Sequence, residues 1–196
     1  VIGNGAGLRV TGEIVKAEPA LLELTDEVAP EPRLVLVQAL AKGDRDELAV
    51  QAATELGVDG VVPWTAQRSI SRWEGAKVAK GHARWEAITR EATKQSLRSW
   101  LPEVGELVTS KQLAALAADT HMIVLDPTGD VQLTELDADG RDVVLVVGPE
   151  GGITPAELDL LRGSGATIAR LGSTVLRTST AGPAAIAVLN AKLGRW

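Results

Sequence analysis

Two short stretches of this 196-residue chain hold residue types that could do chemistry together. The first is Gly148-Pro149-Glu150-Gly151-Gly152. Its glycines let a backbone approach a ligand closely, because no Cβ stands in the way. The second is Leu171-Gly172-Ser173-Thr174-Val175-Leu176-Arg177-Thr178-Ser179-Thr180-Ala181. It is crowded with hydroxyls and carries one cation, Arg177, whose guanidinium suits a carboxylate or a phosphate. Each stretch alone also reads as an ordinary link. The first would be a tight strand-to-helix turn, the second a polar loop whose Thr178 or Thr180 caps a helix. The first is not a phosphate loop, since no Gly-Lys-Ser/Thr follows, nor is it a G-x-G-x-x-G fingerprint. Placed at neighbouring strand ends, the two loops would form one pocket.

The elements that must position these loops are legible as alternating strands and helices. The sequence predicts strands over Leu34–Leu40, Gly60–Thr65, Met122–Leu125, Val143–Val147 and Thr167–Leu171. Val143–Val147 is apolar at every position, as a strand covered on both faces would be. Helices are predicted over Asp46–Leu56, with Leu48, Ala52 and Leu56 on one face, and over His82–Ser96, with Trp85, Ile88, Ala92 and Gln95 along one side. Another opens at Thr154, where Thr154 and Glu157 form a capping box and Pro155 takes the first helical position. A small-residue helix, Ala184–Leu193, closes the chain. This alternation predicts an α/β domain with a mostly parallel sheet over residues 34–196. Residues 1–30 read differently. Gly3, Gly5, Gly7 and Gly12 punctuate short β-like runs at Leu8–Val10 and Leu21–Leu24, and Pro30 and Pro32 then make a stiff break. That segment is expected to be the remnant of a small β domain and its linker. The chain begins at Val1, so its true N-terminus is expected to be missing.

Composition narrows the chemistry. With no Cys, disulfides, a thiol nucleophile and Cys-ligated zinc are excluded. His82 and His121 are the only imidazoles and lie far apart in sequence, so no metal site is expected. The longest apolar runs are too short to cross a bilayer. All aromatics are Trp, which removes Phe or Tyr stacking as a route to single-stranded RNA. The net charge of −6 hides a contrast. Between Gln67 and Trp100 stand eight cations (Arg68, Arg72, Lys77, Lys80, Arg84, Arg90, Lys94 and Arg98) against three anions, a local +5. This is either a solvated helix face or a surface for phosphates.

Read together, the motifs resemble one family. Gly148-Pro149-Glu150-Gly151-Gly152, Leu171-Gly172 and Val175-Leu176-Arg177-Thr178-x-Thr180-Ala181 are similar to the cofactor-binding signature of the RsmE family of small-subunit ribosomal RNA methyltransferases. Gln51-x-x-Thr54-Glu55-Leu56-Gly57-Val58, Gln67-Arg68-Ser69, and Trp85 through Glu91-Ala92-x-x-Gln95-Ser96-x-Arg98 with Pro102-Glu103-Val104 resemble its upstream segments, in the same order. The resemblance implies a knotted SPOUT-type domain with a C-terminal trefoil knot, a partial PUA-like β-barrel remnant before it, and a homodimer. It implies S-adenosyl-L-methionine as cofactor, held by Leu125, Gly148, Pro149, Glu150, Gly151, Gly152, Leu171, Gly172, Val175, Leu176, Arg177, Thr178, Thr180 and Ala181. The implied reaction is methylation of uridine N3 in 16S rRNA, in the cytoplasm and within an assembled small subunit. Arg68, Arg72, Arg90, Lys94 and Arg98 are the expected RNA contacts.

Uridine N3–H is weakly acidic and must lose its proton before it can attack. Arg177 is the candidate to stabilise the developing anion, and Glu150 the candidate base or partner for the cofactor's charged end. Two positions depart from the family pattern: Ser179 replaces a usual Glu, and Leu97 replaces a usual Gly. The competing readings are a SPOUT enzyme that methylates ribose 2′-O in tRNA or rRNA, and a non-catalytic RNA-binding assembly protein.

Overall fold

The structure is a computed structural model that describes residues 2–3, 8–10, 24–26, 30–137 and 139–196. Near the N-terminus three short strands, β1 (Ile2–Gly3), β2 (Leu8–Val10) and β3 (Leu24–Asp26), pair antiparallel in that order. Of the strand expected at Leu21–Leu24, Leu24 is the one described residue, and it opens β3. Residues 21–23, and the glycines at 5, 7 and 12, lie outside the described residues.

The rest is built around one parallel sheet. Its strands are β4 (Leu34–Ala39), β5 (Gly60–Thr65), β6 (Glu103–Val104), β7 (Val108–Thr109), β8 (His121–Leu125), β9 (Val131–Gln132), β10 (Val143–Val147) and β11 (Thr167–Arg170). The spatial order is β6-β5-β4-β10-β8-β11-β9, with β7 also on β5, and each pairing is parallel. Between the strands run α1 (Arg45–Glu55), α2 (Ala76–Gln95), α3 (Ser110–Leu116) and α4 (Pro155–Gly163), and α5 (Thr178–Lys192) follows the last strand.

Period-2 alternation sorts the strand side chains onto two faces. Leu34, Leu36, Ile123, Val143, Leu145 and Val147 pack with Val50, Ala53, Trp85, Ala185, Ile186 and Leu189 of α1, α2 and α5. Val37, Ala39, Met122, Val124, Val144 and Val146 pack with Leu113, Leu158 and Leu161 of α3 and α4. Covered on both sides, β10 is buried at all five positions, as its unbroken apolar run requires.

The use of both faces also bears on where a ligand can sit. From β4 the chain leaves through α1 toward β5. From β10, which lies beside β4, it leaves through α4 on the opposite face toward β11. Adjacent strands whose connections part in this way open a crevice at their carboxyl ends.

Three expectations are corrected. Helix α1 buries Asp46, Ala49, Val50, Ala53 and Thr54, while Leu48 is 50% exposed, so its core face is rotated from the one expected. The sheet floor, not the spacing of the leucines, selected the narrower alanine and valine face. Helix α2 begins at Ala76 rather than His82 and runs through Gly81. A Cβ at Gly81 would run into the Trp73 ring, which itself meets Trp85 edge-on at 5.5 Å. The glycine thus serves tertiary packing rather than helix termination. Helix α5 begins at Thr178, six residues before Ala184, and contains Pro183. Gly182 lies against Leu36, where an added Cβ would come within 3.3 Å of Cδ1, so contact with the sheet extends the helix back past the proline.

Candidate cofactor site

The loops after β8, β10 and β11 converge on one cavity of about 690 Å³. That size falls within the range of about 300–1,000 Å³ typical of small-molecule sites. Leu125, Val147, Ile153, Leu171, Leu176 and Ala181 give it apolar walls; Asp126, Glu150, Arg170 and Arg177 bring charge. Of the residues expected at the cofactor, Leu125, Gly148, Pro149, Glu150, Gly152, Leu171, Gly172, Val175, Leu176, Arg177, Thr178 and Ala181 line it. Gly151 and Thr180 stand outside this lining. Gly151 instead abuts the neighbouring loop, where an added Cβ would lie 3.1 Å from Arg68 Cβ.

Local sequence explains the shape of each loop. Gly152 and Gly172 have φ of +71° and +73°, conformations that L side chains adopt only with strain. The Gly152 amide donates to the Pro149 carbonyl at 2.9 Å and closes the first turn. Immediately after it, Thr154 and Glu157 form the expected capping box, with Pro155 in the first helical turn. Glu157 does more than cap. Its Oε1 accepts from the Gln67 amide at 2.8 Å and from Ser110 Oγ at 2.7 Å, while Oε2 accepts from Thr154. Burial raises this carboxyl's pKa, but the donors from Ser110, Gln67 and Thr154 outweigh it and hold the group below the usual carboxylate range. One buried carboxylate therefore joins the 148–154 turn to the loop that carries Arg68.

The plain reading of this loop makes Thr178 or Thr180 a helix cap. Instead Arg177 is the N-cap residue, without a side-chain cap bond, and Thr178 opens the helix. The Thr178 hydroxyl donates to the Gly148 carbonyl at 2.8 Å, tying the two loops together. Arg177 is exposed at the cavity, and its guanidinium has no hydrogen bond or ion pair among the described residues.

Glu150 is already engaged. Its Oε1 accepts from Arg45 Nη1 at 2.9 Å and from the Lys42 amide at 3.0 Å. Burial pushes its pKa up, yet hydrogen bonds from its own amide, Arg45 and Lys42 prevail and lower it. Such a carboxylate is a weak base and a good anchor for its loop.

The expected RNA contacts divide. Arg68, Arg72, Arg90 and Lys94 are exposed. Arg68 Nη1 donates to the Gly151 carbonyl at 3.0 Å and so sits beside the cavity loop; Arg72 donates to the Gln67 carbonyl. Lys94 pairs with Glu91 on α2. Arg98 turns inward, donating to the Thr54 carbonyl at 2.9 Å, and burial pulls its pKa down to about 10.

Sequence reasoning overlooked Asp126, Gln132, Arg170 and Arg45 at the cavity, and Gln38 beneath it. A signal for the first was present: Asp126-Pro127-x-Gly129 is a turn at the end of a strand, as the other two loops are. Asp126 Oδ1 accepts from the Thr128 amide at 2.9 Å, which shapes that turn.

A mixed-polarity cavity at the carboxyl ends of a parallel sheet defines a small-molecule-binding α/β protein. Comparison with known proteins then identifies which. A family model described as an RNA methyltransferase domain matches residues 29–190. The ribosomal RNA small subunit methyltransferase E of Mycobacterium bovis is 40% identical over 171 residues, which are 84% of this chain and 65% of that protein. The chain thus spans just under two thirds of that relative. The structure of the same-named enzyme from Neisseria gonorrhoeae bound to S-adenosyl methionine is 28% identical, with a TM-score of 0.78, covering 96% of this chain and 81% of that one. A methyltransferase from Legionella pneumophila in complex with the same cofactor is 31% identical, with a TM-score of 0.81 and the same coverage. The chain belongs to the RNA methyltransferase domain family and, within it, groups with the ribosomal RNA small subunit methyltransferase E proteins.

Proposed function

We propose that this chain carries the catalytic domain of an S-adenosyl-L-methionine-dependent methyltransferase acting on uridine N3 of 16S rRNA. The observation that carries the reading is the convergence of the 148–152 and 171–178 loops on one cavity in a chain of this family. The cavity's residues fit the cofactor. Apolar walls from Leu125, Leu171, Leu176 and Ala181 suit a purine and ribose, and the Asp126 carboxylate suits a cationic group. The cofactor supplies a methyl group already activated on a sulfonium, so the protein's task is chiefly to position and to stabilise charge. Arg177, unpaired and at the cavity, stabilises the uridine anion as N3–H is lost or anchors a phosphate of the RNA. Glu150, committed to Arg45 and Lys42, orders the loop and does not serve as the base.

The RNA approaches over Arg68 and Arg72, beside the cavity, with Arg90 and Lys94 extending the surface along α2. Arg98 contributes by fixing the end of that helix. In the same reading, residues 1–30 are the end of a PUA-like β barrel, supported by the three antiparallel strands there. The C-terminal segment forms a trefoil knot, a reading supported by α5 turning back from β11 to pack on α1 and β10. The protein works as a cytoplasmic homodimer on the assembled small subunit. The test is transfer from methyl-labelled S-adenosylmethionine to 16S rRNA or small subunits, followed by mass spectrometry of the nucleosides. The expected product is 3-methyluridine. A 2′-O-methyl product would establish the ribose reading, and absence of both cofactor binding and transfer would leave a non-catalytic RNA-binding protein.

A further inference from the structure

Gln38 is an anomaly in β4. The strand reads Leu-Val-Leu-Val-Gln-Ala, and Gln38 is fully buried. Its Oε1 has no hydrogen-bond partner, an arrangement that costs stability in a core. An apolar side chain of similar size would avoid that cost, so the amide calls for a reason other than packing.

The reason lies at its other end. Gln38 Nε2 donates to the Ala39 carbonyl at 3.1 Å and to Thr178 Oγ1 at 2.8 Å. A carbonyl only accepts, so the Ala39 contact fixes which end of the amide is nitrogen. Thr178 Oγ1 must then accept from Gln38, and its single proton goes to the Gly148 carbonyl, 2.8 Å away. The direction of every proton is determined: Gln38 amide to Thr178 hydroxyl to Gly148 carbonyl. Thr178 and Gly148 both line the cavity, one in each of its principal loops; Gln38 does not.

We propose that Gln38 is a positioning residue for cofactor binding, acting from beneath the cavity by orienting the Thr178 hydroxyl so that it locks Gly148. The inference rests on the cofactor reading above. Without the amide the hydroxyl is free to rotate, the Gly148 carbonyl is released, and the two loops lose their common register.

The test is a double-mutant cycle on S-adenosylmethionine affinity, measured by calorimetry with Gln38→Met and Thr178→Val, alongside melting temperatures without cofactor. Gln38→Met is expected to weaken binding about tenfold, a typical effect for one oriented hydrogen bond. Because it also removes an unsatisfied buried acceptor, its melting temperature should lie no more than about 2 °C below wild type. In the Thr178→Val background the same change should alter affinity less than about twofold, since its route of action is gone. Thr178→Ser, which keeps the hydroxyl, should recover most of the affinity that Thr178→Val loses. Additive losses in the cycle, or a large drop in melting temperature with unchanged affinity, would overturn the role and make Gln38 a packing residue. If Gln38→Met does not fold, equal affinities of Thr178→Ser and Thr178→Val would overturn it as well. Failure of the wild type to bind the cofactor would instead refute the cofactor reading on which the inference stands.

Discussion

At Leu97 the backbone has φ of +55°, the left-handed region, just past Ser96, which caps the end of α2 at Gln95. The resemblance leads one to expect Gly here, and the geometry gives a reason: this is the position after a helix end where a residue without Cβ is least strained. Leu97 is also 63% exposed, so its side chain returns little in burial. Leu97→Gly is expected to stabilise the protein by about 1 kcal/mol, the relief of left-handed strain exceeding the extra freedom of an unfolded glycine. Urea unfolding measures it; a loss of stability would show that Leu97 gains more from its contacts than its backbone costs. Gly151 gives a second residue-scale case. Since its close neighbour is Arg68 rather than the cavity, Gly151→Val should displace the Arg68 loop and reduce RNA affinity more than cofactor affinity. Parallel titrations with RNA and with S-adenosylmethionine separate the two effects.

Two carboxylates at helix starts have opposite pH dependence. Asp46, in the first turn of α1, is 5% exposed, and burial raises its pKa to about 6 despite hydrogen bonds from the Ala41 and Glu47 amides. Between its unfolded value of 3.8 and that folded value the native state binds the extra proton, so stability rises as pH falls through this window. The corresponding penalty at neutral pH is on the order of 2–3 kcal/mol. Asp46→Asn should flatten the stability profile between about pH 4 and 7, as chemical denaturation across that range would reveal. Glu157 in α4 has a lowered pKa, so its contribution is complete above its unfolded pKa and disappears as pH falls through the lower folded value. Glu157→Gln should destabilise by about 1–3 kcal/mol at pH 7 and much less in strong acid, because an amide oxygen replaces only part of the carboxylate's four hydrogen bonds. An equal loss at both pH values would mean that the carboxylate's charge is irrelevant to the junction.

At the scale of the whole molecule, Arg195 clamps the segment after α5 to residues 32–59. Arg195 donates to Asp59 Oδ2 at 2.7 Å, to the Pro32 carbonyl at 2.9 Å and to the Gly57 carbonyl at 2.8 Å. The ion pair is nearly buried, with side-chain exposures of 6% and 13%. Arg195→Met would strand the Asp59 charge and should cost about 3–5 kcal/mol in denaturant unfolding. A loss below about 1 kcal/mol would show that water or Arg98 replaces the lost partner. The charge pattern makes a further prediction at this scale. If Arg68 and Arg72 each contact a phosphate, replacing both with Ala should lower the slope of log affinity against log salt by about 1.4–1.8. Cofactor affinity should be nearly unchanged, and an unaltered salt slope would make the basic segment a solvated face.

What the sequence determined by itself was local or periodic. Val143–Val147 was legible as a doubly covered strand because every position is apolar, and the Thr154–Glu157 capping box because its bonds span three residues. The pairing of the 148–152 and 171–181 loops was legible only from the two together, since each alone also reads as an ordinary turn or a polar cap. Tertiary structure alone decided which face of α1 meets the sheet, why Gly81 sits inside a helix, and how Glu157 reaches Gln67. It also decided that Gln38, 140 residues from Thr178, stands beneath its hydroxyl. These outcomes depend on which strands become neighbours. A spacing of two or of four residues specifies a face, but the partner across that face is chosen by packing between segments the sequence keeps far apart.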